Sequence, residues 1–572
     1  MSPRLDSLVV LVRPHDTLAE TVLRMAGDKV AFFGLAIVLD DNGRVQGVVN
    51  NGDILRLLAA GRDFSEPVSA AMVRDPIAVR PRMTPDEIIT DVYRQIRTTR
   101  RLTREGVAYV LVTSDDGKLA GVINFADLVA RHGVRSERVA IYGMGYVGLT
   151  LAAALANRNH QVIGVDISEA TVGQLRDSRV HVHEPGLEDM VRASLGRGTL
   201  QFSTDAGELH HGVSIIAVGT PVDGAGKADL SALESVARVI GPRLRRGDIV
   251  MLRSTVPVGT TREFIGPLLE KLSGLAAGED FHIAFTPERT VEGKAMRELR
   301  ELPQVVGGLT AACSQRAAMF WSSLSNSVVH MDSLEAAELV KLANNSFRDL
   351  SFGFSNGLAM LADRYNIDAF RLILAANEGY PRNPIPLPSP GVGGYCLTKD
   401  PFLYAAVAPQ NVHAALATAG RDANRSAAKY PVEILRRYAE RHGRKLGDFN
   451  VLVVGLAFKG LPETNDLRGS TGIEVAKALK GEGARVCGWD AIVPAEAIAE
   501  KGIAPIDVLE ALGNVDAVVI MNNHPQNIPP GFLARTRKPM IIFDGWSQLD
   551  ARDIEQHRGL TYATMGYMTP AA

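Results

Sequence analysis

Residues 139–149 read Val139-Ala140-Ile141-Tyr142-Gly143-Met144-Gly145-Tyr146-Val147-Gly148-Leu149, and a stretch rich in alanine and leucine follows. The apolar residues before the first glycine predict a buried strand, and the stretch after the last glycine predicts a helix. A strand that enters a helix through three glycines at this spacing is typical of a Rossmann-type βαβ unit. The segment therefore predicts an α/β domain built on a parallel sheet.

The three glycines of this turn suit a dinucleotide. Gly143 permits the tight turn, Gly145 lets the backbone approach a pyrophosphate, and Gly148 lets the helix pack on the strand. The next predicted strand, 161–165, ends at Asp166, which lies 23 residues after Gly143. An acidic side chain there binds both ribose hydroxyls and repels a 2′-phosphate, so we expect NAD rather than NADP. The predicted cofactor-binding residues are Gly143, Gly145, Tyr146, Val147, Gly148, Asp166, Thr220 and Thr255.

Three later strands are predicted to end in residues that face the same ligand crevice. These strands, with the residue that follows each, are 213–218 with Thr220, 248–253 with Thr255, and 281–285 with Glu288. The carboxyl ends of parallel strands meet at one edge of the sheet, where ligands bind. Glu288 taken singly would be interpreted as an ordinary acidic residue of a turn. The neighbouring strand-end residues favour a functional role for it.

A helix is predicted from Ser333 towards Asn356. Lys341 and Asn345 are four residues apart and share one face, where an ammonium and an amide donor could stabilise an oxyanion. Most helix lysines are solvated. The surrounding alanine and leucine residues indicate a largely buried helix, in which an unpaired lysine would be costly.

A cysteine follows a glycine pair in Gly393-Gly394-Tyr395-Cys396-Leu397-Thr398-Lys399-Asp400-Pro401. Glycines let the backbone approach a substrate closely, so this setting suggests a nucleophilic cysteine beside a cofactor. The alternative is a buried, inert cysteine, which is common for free thiols.

The C-terminal part repeats the Rossmann layout without the three-glycine turn. The apolar strand 451–454 runs into Gly455, and a later strand ends at Asp490. A second dinucleotide is therefore not expected. Lys459 and Arg468 instead suit the phosphates of a nucleotide.

The N-terminal part contains an internal repeat. Residues 39–54 recur as residues 113–128 at an offset of 74, and each copy predicts a strand, a turn, a second strand and a helix start. The segments upstream of the copies match at an offset of 67, so the second copy carries about seven extra residues near 97–101. Residues 1–132 are therefore predicted to form one pseudo-symmetric module.

Composition excludes several classes of protein. The 572 residues carry 62 Lys and Arg against 64 Asp and Glu, a net charge of −2, which is not that of a general nucleic-acid binder. The three cysteines have no CxxC spacing, which argues against a disulfide framework or a zinc site, and we expect no metal. The chain shows no apolar run long enough for a bilayer, so we expect a soluble, cytoplasmic protein with several domains.

The N-terminal repeat resembles a tandem pair of cystathionine-β-synthase (CBS) motifs. Such pairs typically bind adenine nucleotides and act as regulatory sensors. Asp53 and Asp127 fall where that family places a ribose-binding aspartate, whereas Asn50 and Asn124 stand where a hydroxyl residue is often found. Two interpretations stay open, a nucleotide sensor and a module that only packs or dimerises.

The rest of the chain, from about residue 137 to 570, resembles the UDP-glucose/GDP-mannose dehydrogenase family. The motifs that carry the resemblance occur in the family's order: Gly143-Met144-Gly145-Tyr146-Val147-Gly148-Leu149, Val218-Gly219-Thr220-Pro221, Ser254-Thr255-Val256-Pro257, Glu338-Leu339-Val340-Lys341, Gly393-Gly394-Tyr395-Cys396 and Gly455-Leu456-Ala457-Phe458-Lys459. Six motifs in order are far more specific than one. The resemblance implies an α/β fold with two Rossmann-like domains joined by a central helical dimerisation domain, here preceded by the CBS pair. The expected domains are 1–132 (CBS-like), 137–330 (NAD-binding), 331–435 (central, with the cysteine) and 446–572 (UDP-sugar-binding).

The same resemblance implies a four-electron oxidation of the C6 alcohol of a nucleotide sugar to the acid, as used in polysaccharide biosynthesis. Cys396 would attack the aldehyde, Lys341 and Asn345 would hold the oxyanion, and two NAD molecules would take the two hydrides. Thr255, Glu288 and Asp400 resemble the residues that activate the hydrolytic water, and which of them is the base stays open. The residues expected to bind the substrate are Glu288, Arg289, Lys341, Asn345, Arg348, Arg382, Gly393, Lys459 and Arg468. Arg382 resembles an arginine that reaches the sugar from the partner subunit, so we expect a homodimer or a higher homo-oligomer.

The identity of the sugar stays open. Residues 287–294 and 345–349 look more like the branch that acts on UDP-N-acetylhexosamines, above all UDP-N-acetylmannosamine. Tyr395 stands where that branch usually has His, and Lys399 is more typical of UDP-glucose dehydrogenases. UDP-N-acetylglucosamine and UDP-glucose therefore remain alternatives. A hypothesis of another class, an adenine-nucleotide-binding protein with a vestigial dehydrogenase, is disfavoured by intact Cys396, Lys341, Asn345 and Asp400.

Overall fold

The computed structural model describes residues 9–26, 35–98, 109–128, 136–207, 209–223, 226–325, 327–382, 384–537, 539–549, 554, 557 and 559–570. The chain divides into two compact units. The first comprises residues Met1–Ser136 with Glu301–Gln304 and Ser314–His330. The second comprises Glu137–Arg300, Val305–Cys313 and Met331–Ala572.

The first unit contains the predicted repeat. Each copy has a parallel strand pair extended by an antiparallel hairpin, and a helix start follows the hairpin, as the repeat predicted. The first copy comprises β1 (Val10–Val12), α1 (Leu18–Met25), β2 (Leu35–Leu39), β3 (Val45–Asn50), α2 (Asn51–Ala59) and a 3₁₀ turn (Val68–Ala70). The second comprises β4 (Ala78–Val79), α3 (Pro85–Thr98), β5 (Tyr109–Thr113), β6 (Leu119–Asn124) and α4 (Phe125–Leu128). The extra residues expected near 97–101 lie largely outside the described residues.

The two copies start their first helices in the same way. Thr17 caps α1 in a capping box with Glu20, and Thr84 exchanges the same pair of hydrogen bonds with Glu87 ahead of α3. A Thr-x-x-Glu box satisfies two amide groups that the helix leaves unpaired. The recurrence at an offset of 67 is therefore a structural repeat as well as a repeat in sequence.

The copies also bind each other reciprocally through their hairpins. The Val45 amide donates to the Gly117 carbonyl at 3.0 Å, and the Leu119 amide donates to the Gly43 carbonyl at 3.4 Å. Gly43 and Gly117, like Val45 and Leu119, are equivalent at the offset of 74. The unit therefore has the pseudo-twofold symmetry that its sequence indicates.

In the second unit, the first sheet has the strand order β13-β12-β11-β10-β7-β8-β9. From β9 to β12 this is the Rossmann order, and these strands are parallel, while β13 is antiparallel to β12. The elements of residues 138–331 are β7 (Arg138–Tyr142), α5 (Tyr146–Ala156), β8 (Gln161–Val165), α6 (Glu169–Arg176), α7 (Leu187–Gly196), β9 (Leu200–Ser203), β10 (Val213–Ile216), α8 (Ser231–Ile240), β11 (Ile249–Leu252), a π-helical turn (Thr261–Ile265), α9 (Gly266–Ser273), β12 (His282–Phe285), α10 (Ala295–Glu301), β13 (Gln304–Gly308), α11 (Ala311–Trp321) and β14 (Val328–Met331). Most of α11 and β14 belongs to the first unit.

Long helices follow this sheet. Ser333 caps α12 by accepting a hydrogen bond from the Ala336 amide, and α12 packs along α15. The two helices approach closely at Gly353, where a Cβ would lie 2.6 Å from the Gly420 carbonyl oxygen. The helices are α12 (Leu334–Asp363), α13 (Ala369–Asn377), α14 (Tyr395–Ala406) and α15 (Val412–Arg441).

The C-terminal sheet has the order β17-β16-β15-β18-β19-β20-β21, which is the Rossmann order with an antiparallel β21 at its edge. Its inner strands β15 and β18 are almost entirely buried, as a parallel sheet covered on both faces requires. The elements are β15 (Asn450–Val454), α16 (Thr471–Gly481), β16 (Arg485–Trp489), α17 (Ala495–Glu500), β17 (Ala504–Pro505), α18 (Val508–Ala511), β18 (Ala517–Ile520), β19 (Met540–Asp544), β20 (Leu560–Thr564) and β21 (Tyr567–Met568). The predicted fold of two Rossmann-like domains, a central helical region and a CBS pair is confirmed.

Within the described residues, no helix combines the length and the apolar character needed to cross a membrane.

Candidate active site

The glycine turn between β7 and α5 has the geometry that its sequence predicts. Gly143 has φ +96°, a conformation that side chains other than glycine rarely adopt. A Cβ at Gly148 would overlap the Gly143 carbonyl, so only glycine lets α5 approach the strand this closely. Gly145 is the N-cap of α5, and no atom lies within 4 Å of the position a Cβ would take there. The turn thus leaves open space in front of a helix N-terminus, where a pyrophosphate fits.

Asp166 lies directly beyond β8 and is oriented by backbone amides. Its carboxylate accepts hydrogen bonds from the Met144 amide at 2.8 Å and the Ser168 amide at 3.0 Å. On the other side of β7, the Thr220 hydroxyl donates to the Thr255 carbonyl at 2.5 Å, so these two predicted residues are in contact. The open turn, the acid at the strand end and the two threonines fit an NAD molecule laid across the edge of the sheet.

The Tyr146 side chain has a structural role in the turn. Its hydroxyl donates to Glu184, which also accepts from the Gly293 amide at 2.7 Å and the Met296 amide at 3.2 Å. Burial and the adjacent carboxylate raise the pKa of Tyr146. The Tyr146 side chain therefore holds the loop after β12.

Glu288 is buried at the end of β12 and bound on both carboxylate oxygens. Arg253 donates to Oε2 from Nε at 2.9 Å and from Nη2 at 2.5 Å, and the Thr290 amide donates to Oε1 at 2.7 Å. Burial alone would raise the pKa of Glu288, but the charge of Arg253, the Thr290 amide and the charge of Lys341 together hold it below its usual value. The neighbouring Arg289 is half-buried, and burial lowers its pKa.

Cys396 lies in the first turn of α14, two residues after the N-cap Gly394. The residue is exposed, yet the surrounding protein desolvates the thiol and raises its pKa, while the charge of Lys341 acts in the opposite direction. Lys341 is only 8% exposed, and its charge acts on both Cys396 and Glu288. The helix N-terminus and the ammonium both favour a thiolate once substrate arrives.

Asp400 is completely buried one turn further along α14. Asn345 Nδ2 donates to its Oδ2 at 2.5 Å, and Lys399 Nζ donates to its Oδ1 at 2.8 Å. The carboxylate thus joins α12 to α14. The sequence placed Lys341 and Asn345 on one face of a helix, and the structure brings that face to Cys396 and Asp400.

The loop before Cys396 packs against the C-terminal domain. A Cβ at Gly393 would lie 2.5 Å from the Gly469 carbonyl, and one at Gly394, with φ +90°, would lie 2.8 Å from the Phe458 ring. The Gly394 amide donates to the Gly469 carbonyl at 3.2 Å. Both glycines are therefore needed for the cysteine to reach this domain.

Buried Arg421 of α15 supports the same loop from behind. Its guanidinium donates to the Leu397 carbonyl at 2.9 Å, the Val392 carbonyl at 3.0 Å and the Asp349 carboxylate at 2.8 Å. One side chain thus holds both ends of the segment that carries Cys396.

Lys459 and Arg468 meet around Glu292. Lys459 Nζ donates to the Glu292 carbonyl at 2.7 Å, and Arg468 Nη2 lies 3.8 Å from the Glu292 carboxylate. Burial lowers the pKa of Lys459 to about 8, although Glu292 opposes this shift. Arg468 also pairs with Asp466 at 2.7 Å and lies 5.0 Å from the centroid of the Tyr395 ring. Arg468 therefore lies beside the residue that precedes Cys396, and Lys459 shares Glu292 with it.

Two predicted substrate residues lie at the surface. Arg348 is exposed on α12, 5.8 Å from the Phe352 ring, and its charge contributes to the low pKa of Lys459. Arg382 follows α13, and its Nη1 lies 3.3 Å from the Tyr380 hydroxyl. Among the described residues, no hydrogen bond joins Arg382 to the groups around Cys396.

Sequence reasoning missed several side chains that this site depends on. They are Arg253 against Glu288, Lys399 against Asp400, Glu292 between the two cations, and Arg421 behind the cysteine loop. The signal for Arg253 was available, because an arginine at the end of an apolar strand is buried and must find a partner. In the sequence, Lys399 is marked only as a residue more typical of UDP-glucose dehydrogenases. Within the described residues, no cluster of three or more His, Cys, Asp or Glu could hold a metal ion.

In the first unit, Asp53 is engaged locally. Its carboxylate accepts from the Asn50 amide at 2.9 Å and from Arg56 Nη2 at 2.5 Å, and Asn50 in turn caps α2 by accepting from the Asp53 amide. The Asn that replaces the expected hydroxyl residue is thus the helix cap. The side chain of Asp127 lies outside the described residues.

Family comparisons cover nearly the whole chain. The UDP-glucose/GDP-mannose dehydrogenase family matches with its NAD binding domain at residues 137–325, its central domain at 335–426 and its UDP binding domain at 452–551. The CBS domain matches twice, at residues 7–60 and 68–132.

Similar proteins come from bacteria and archaea. NDP-N-acetyl-D-galactosaminuronic acid dehydrogenase of Ralstonia nicotianae is 33% identical over 395 residues, which are 68% of this chain and 91% of the relative. The structure of UDP-D-ManNAc dehydrogenase from Pyrococcus horikoshii matches with a TM-score of 0.68 at 29% identity and covers 75% of this chain and 99% of its own. A UDP-glucose dehydrogenase from Pyrobaculum islandicum matches with a TM-score of 0.67 at 30% identity, over 76% and 99% of the two chains.

Proposed function

The chain belongs to the UDP-glucose/GDP-mannose dehydrogenase family as an NAD-dependent nucleotide-sugar dehydrogenase, and we propose that it oxidises the C6 alcohol of a UDP-N-acetylhexosamine to the acid through a covalent intermediate on Cys396. The observation that carries the proposal is the arrangement around Cys396. A cysteine at a helix N-terminus shares one site with Lys341 and Asp400, beside the cations Lys459 and Arg468. Covalent catalysis next to a nucleotide site needs these groups together.

Bound NAD supplies the hydride acceptor for each oxidation step. The open turn at Gly145, the carboxylate of Asp166 and the hydroxyl edge of Thr220 and Thr255 would hold it. The Asp166 carboxylate would accept hydrogen bonds from the ribose hydroxyls of NAD and would repel the 2′-phosphate of NADP.

The first oxidation removes a hydride from the C6 alcohol, releases the hydroxyl proton to solvent water and leaves an aldehyde. The Cys396 thiolate then forms a C–S bond to the aldehyde carbon, and the carbonyl oxygen becomes an oxyanion. Lys341 and Asn345, one turn apart on α12, donate to that oxygen. Covalent capture also keeps the aldehyde in the site between the two oxidations.

The second oxidation removes a hydride from the thiohemiacetal and leaves a thioester. Water then bonds to the acyl carbon, the C–S bond breaks, and the products are the carboxylate and the Cys396 thiolate. A carboxylate must take the proton of that water. Glu288 and Asp400 are the buried candidates, since the charge of Lys341 acts on both Glu288 and Cys396 and the charge of Asp400 acts on Cys396. Thr255 lies beyond the end of the neighbouring strand β11.

Binding of the UDP moiety is assigned to the C-terminal domain. Lys459 and Arg468 would pair with the two phosphates, in place of their present contacts with Glu292 and Asp466. Relatives named for N-acetylmannosamine and N-acetylgalactosaminuronic acid support an N-acetylhexosamine, whereas Lys399 and the Pyrobaculum islandicum relative keep UDP-glucose as the alternative.

The test measures NADH formed per sugar consumed for UDP-N-acetylmannosamine, UDP-N-acetylglucosamine, UDP-N-acetylgalactosamine and UDP-glucose. We expect two NADH per sugar with one of the N-acetylhexosamines, and loss of turnover in Cys396→Ala. Cys487→Ala, which removes a half-buried thiol of β16, is the matched control and should stay active. Turnover with UDP-glucose alone would identify UDP-glucose as the substrate and contradict the N-acetylhexosamine proposal. Absence of turnover with all four sugars would contradict the proposed reaction.

We propose in addition that the chain forms a homodimer or a higher homo-oligomer through α12. Phe347, Phe354 and Leu361 lie seven residues apart on this helix and are 73%, 62% and 55% exposed. Such an apolar stripe is costly to leave in water. The variant F347D/F354D should lose half or more of its mass by light scattering, whereas L209D, which alters an exposed leucine outside the central helices, should not.

The CBS pair is proposed as a regulatory module that takes an adenine nucleotide. Asp53, the proposed ribose ligand, already binds Arg56, so a nucleotide would have to displace this exposed arginine. Titration of AMP, ADP and ATP into the full chain should give heat with at least one nucleotide, and D53A should abolish that heat. Heat that D53A leaves unchanged would come from the NAD site, and absence of heat would assign the module to scaffolding.

A further inference from the structure

Arg253 is among the most deeply buried charged residues that the structure describes. Its side chain is 1% exposed, and it follows the last residue of β11, two residues before Thr255. Burying a guanidinium is costly unless it is paired and hydrogen-bonded, so its partners must account for its presence.

Those partners include the Glu288 carboxylate and the backbone of the loop that carries Glu288. Two nitrogens of the guanidinium bind Glu288 Oε2, at 2.9 and 2.5 Å, and Nη1 donates to the Thr286 carbonyl at 3.3 Å. Arg253 thus grips both the Glu288 carboxylate and the backbone two residues before it. Contacts of this kind set the position of Glu288 as well as its charge.

Three cations face Glu288 from the elements packed around it. Arg253 comes from the end of β11, Lys341 from α12, and Arg289 is the next residue in the chain. Burial would raise the pKa of Glu288, and Arg253 is the largest influence in the opposite direction. Lys341 is shared with Cys396, where a developing oxyanion would draw on the same ammonium.

We propose that Arg253 is a positioning residue that holds Glu288 as an oriented carboxylate for the hydrolysis of the Cys396 thioester. This inference rests on the proposed function. In that step water bonds to the acyl carbon, its proton passes to Glu288, and the C–S bond breaks to release the Cys396 thiolate. Arg253 itself touches neither substrate nor cofactor. It keeps the Glu288 carboxylate ionised and fixes its orientation, while Lys341 donates a hydrogen bond to the oxyanion.

The first experiment is the pH profile of kcat for wild type, Arg253→Met, Arg253→Lys and the control Arg262→Met. Without Arg253 the buried Glu288 carboxyl has a raised pKa, so activity should be lost from the acidic side. We expect kcat of R253M at pH 6 to fall about tenfold relative to its value at pH 8, with KM for NAD within about twofold of wild type. R253K keeps the cation and should recover most of the profile.

Arg262→Met is matched because it breaks another arginine–glutamate pair of this unit, that between Arg262 and Glu335, whose side chains are 42% and 32% exposed. Its pH profile should follow that of wild type. An R253M profile parallel to that of wild type would overturn the proposal, because Arg253 would then be a structural residue only.

A second experiment needs no substrate and so separates this proposal from the proposed function. In wild type the pKa of Glu288 is below the ordinary 4.5, so its stabilising contribution is complete above that pH and is lost only as the pH falls further. In R253M its pKa is raised, so stability should decline as the pH rises from 5 to 8. The melting temperature of R253M should therefore fall over this range relative to wild type.

The double variant R253M/E288Q removes the titrating group. It should restore the wild-type dependence of melting temperature on pH, even if its stability is lower at every pH. An equal slope in R253M and R253M/E288Q would show that Arg253 does not control the ionisation of Glu288. That result would contradict the inference while leaving the dehydrogenase reaction untouched.

Discussion

The two Rossmann-like domains have the same strand order and differ in how the first strand enters its helix. Three residues separate β7 from α5, whereas residues 455–470 separate β15 from α16. The short turn exposes a helix N-terminus to a pyrophosphate, and the long one supplies Lys459, Thr464, Asp466 and Arg468. One topology therefore carries two nucleotide sites of different chemistry, and the difference lies in a single loop.

The glycines that begin these two turns are packed alike. Gly143 and Gly455 both have positive φ, +96° and +81°. A Cβ at Gly143 would lie 2.9 Å from the Ala217 carbonyl oxygen, and one at Gly455 would lie 2.6 Å from the side chain of Asn522. The turns differ two residues later, where the first has Gly145 with no neighbour within 4 Å of a Cβ position and the second has Ala457, which is 4% exposed.

The acids that end the second strands are also equivalent. Asp166 accepts from the Met144 amide at 2.8 Å, and Asp490 accepts from the Ala457 amide at 2.8 Å. Asp490 is additionally bound by the Ile492 and Val493 amides and is 9% exposed. The same residue type thus orders the turn in both domains, but only Asp166 keeps access to a ligand.

The largest effect is expected from the glycines where helix meets strand. Gly148→Ala forces a Cβ into the Gly143 carbonyl, whereas Gly472→Ala places one 2.8 Å from the Gly455 carbonyl. We expect G148A to lower stability by about 3 kcal/mol and to abolish NAD binding, and G472A to cost about 1 kcal/mol with NAD binding retained. Thermal unfolding and fluorescence titration with NAD measure both. Equal losses of stability and of NAD binding in the two variants would show that the two turns do not differ in function.

An intermediate effect is expected at Asp166 and Asp490, the equivalent acids that follow the second strand of each Rossmann-like domain. Asp166→Asn removes the charged acceptor of the ribose hydroxyls, so KM for NAD should rise about tenfold and discrimination against NADP should weaken. Asp490→Asn should lower the melting temperature and leave KM for NAD unchanged, because the Asp490 carboxylate binds groups of the C-terminal domain, the amides of Ala457, Ile492 and Val493. Steady-state kinetics with both cofactors distinguishes these outcomes, and a change in NADP use by D490N would contradict the assignment.

The smallest effect is a pH dependence specific to the C-terminal domain. Lys459 has a pKa of about 8 and must be protonated to pair with a phosphate. KM for the UDP-sugar should therefore rise about fivefold from pH 7 to pH 9, as the ammonium loses its proton, while KM for NAD changes little. Lys459→Arg keeps a cation at both pH values and should flatten the dependence. A flat profile in wild type would show that Lys459 does not contact the phosphates.

Much of the scaffold was predictable because it follows from periodicity and glycine chemistry. The strand predicted at 139–142 begins one residue earlier in the structure, and the helix expected to continue towards Asn356 extends to Asp363. The repeat at an offset of 74 predicted one pseudo-symmetric module, whereas the reciprocal pairing of its two hairpins is known only from the structure. Lys341 and Asn345 were found because helix geometry places residues four apart on one face.

The partners of the site residues were not predictable in the same way. Glu288 and Arg253 are 35 residues apart in sequence, and Arg421 lies 24 residues from the Leu397 carbonyl that it binds. No local pattern specifies such pairs. They form where separate elements bury charged groups together, and the free energy of burial then requires a counter-charge.

By itself the sequence determined which residues could do the chemistry: the glycine turn, the acid after the second strand, the lysine and asparagine on one helix face, and Cys396 behind its glycine pair. These depend on local backbone geometry, which a short segment carries within itself. Only the tertiary structure decided which partners hold the site groups in place. Those partners include Arg253, which binds Glu288, and Arg421, which supports the loop before Cys396, and folding brings both in from other elements.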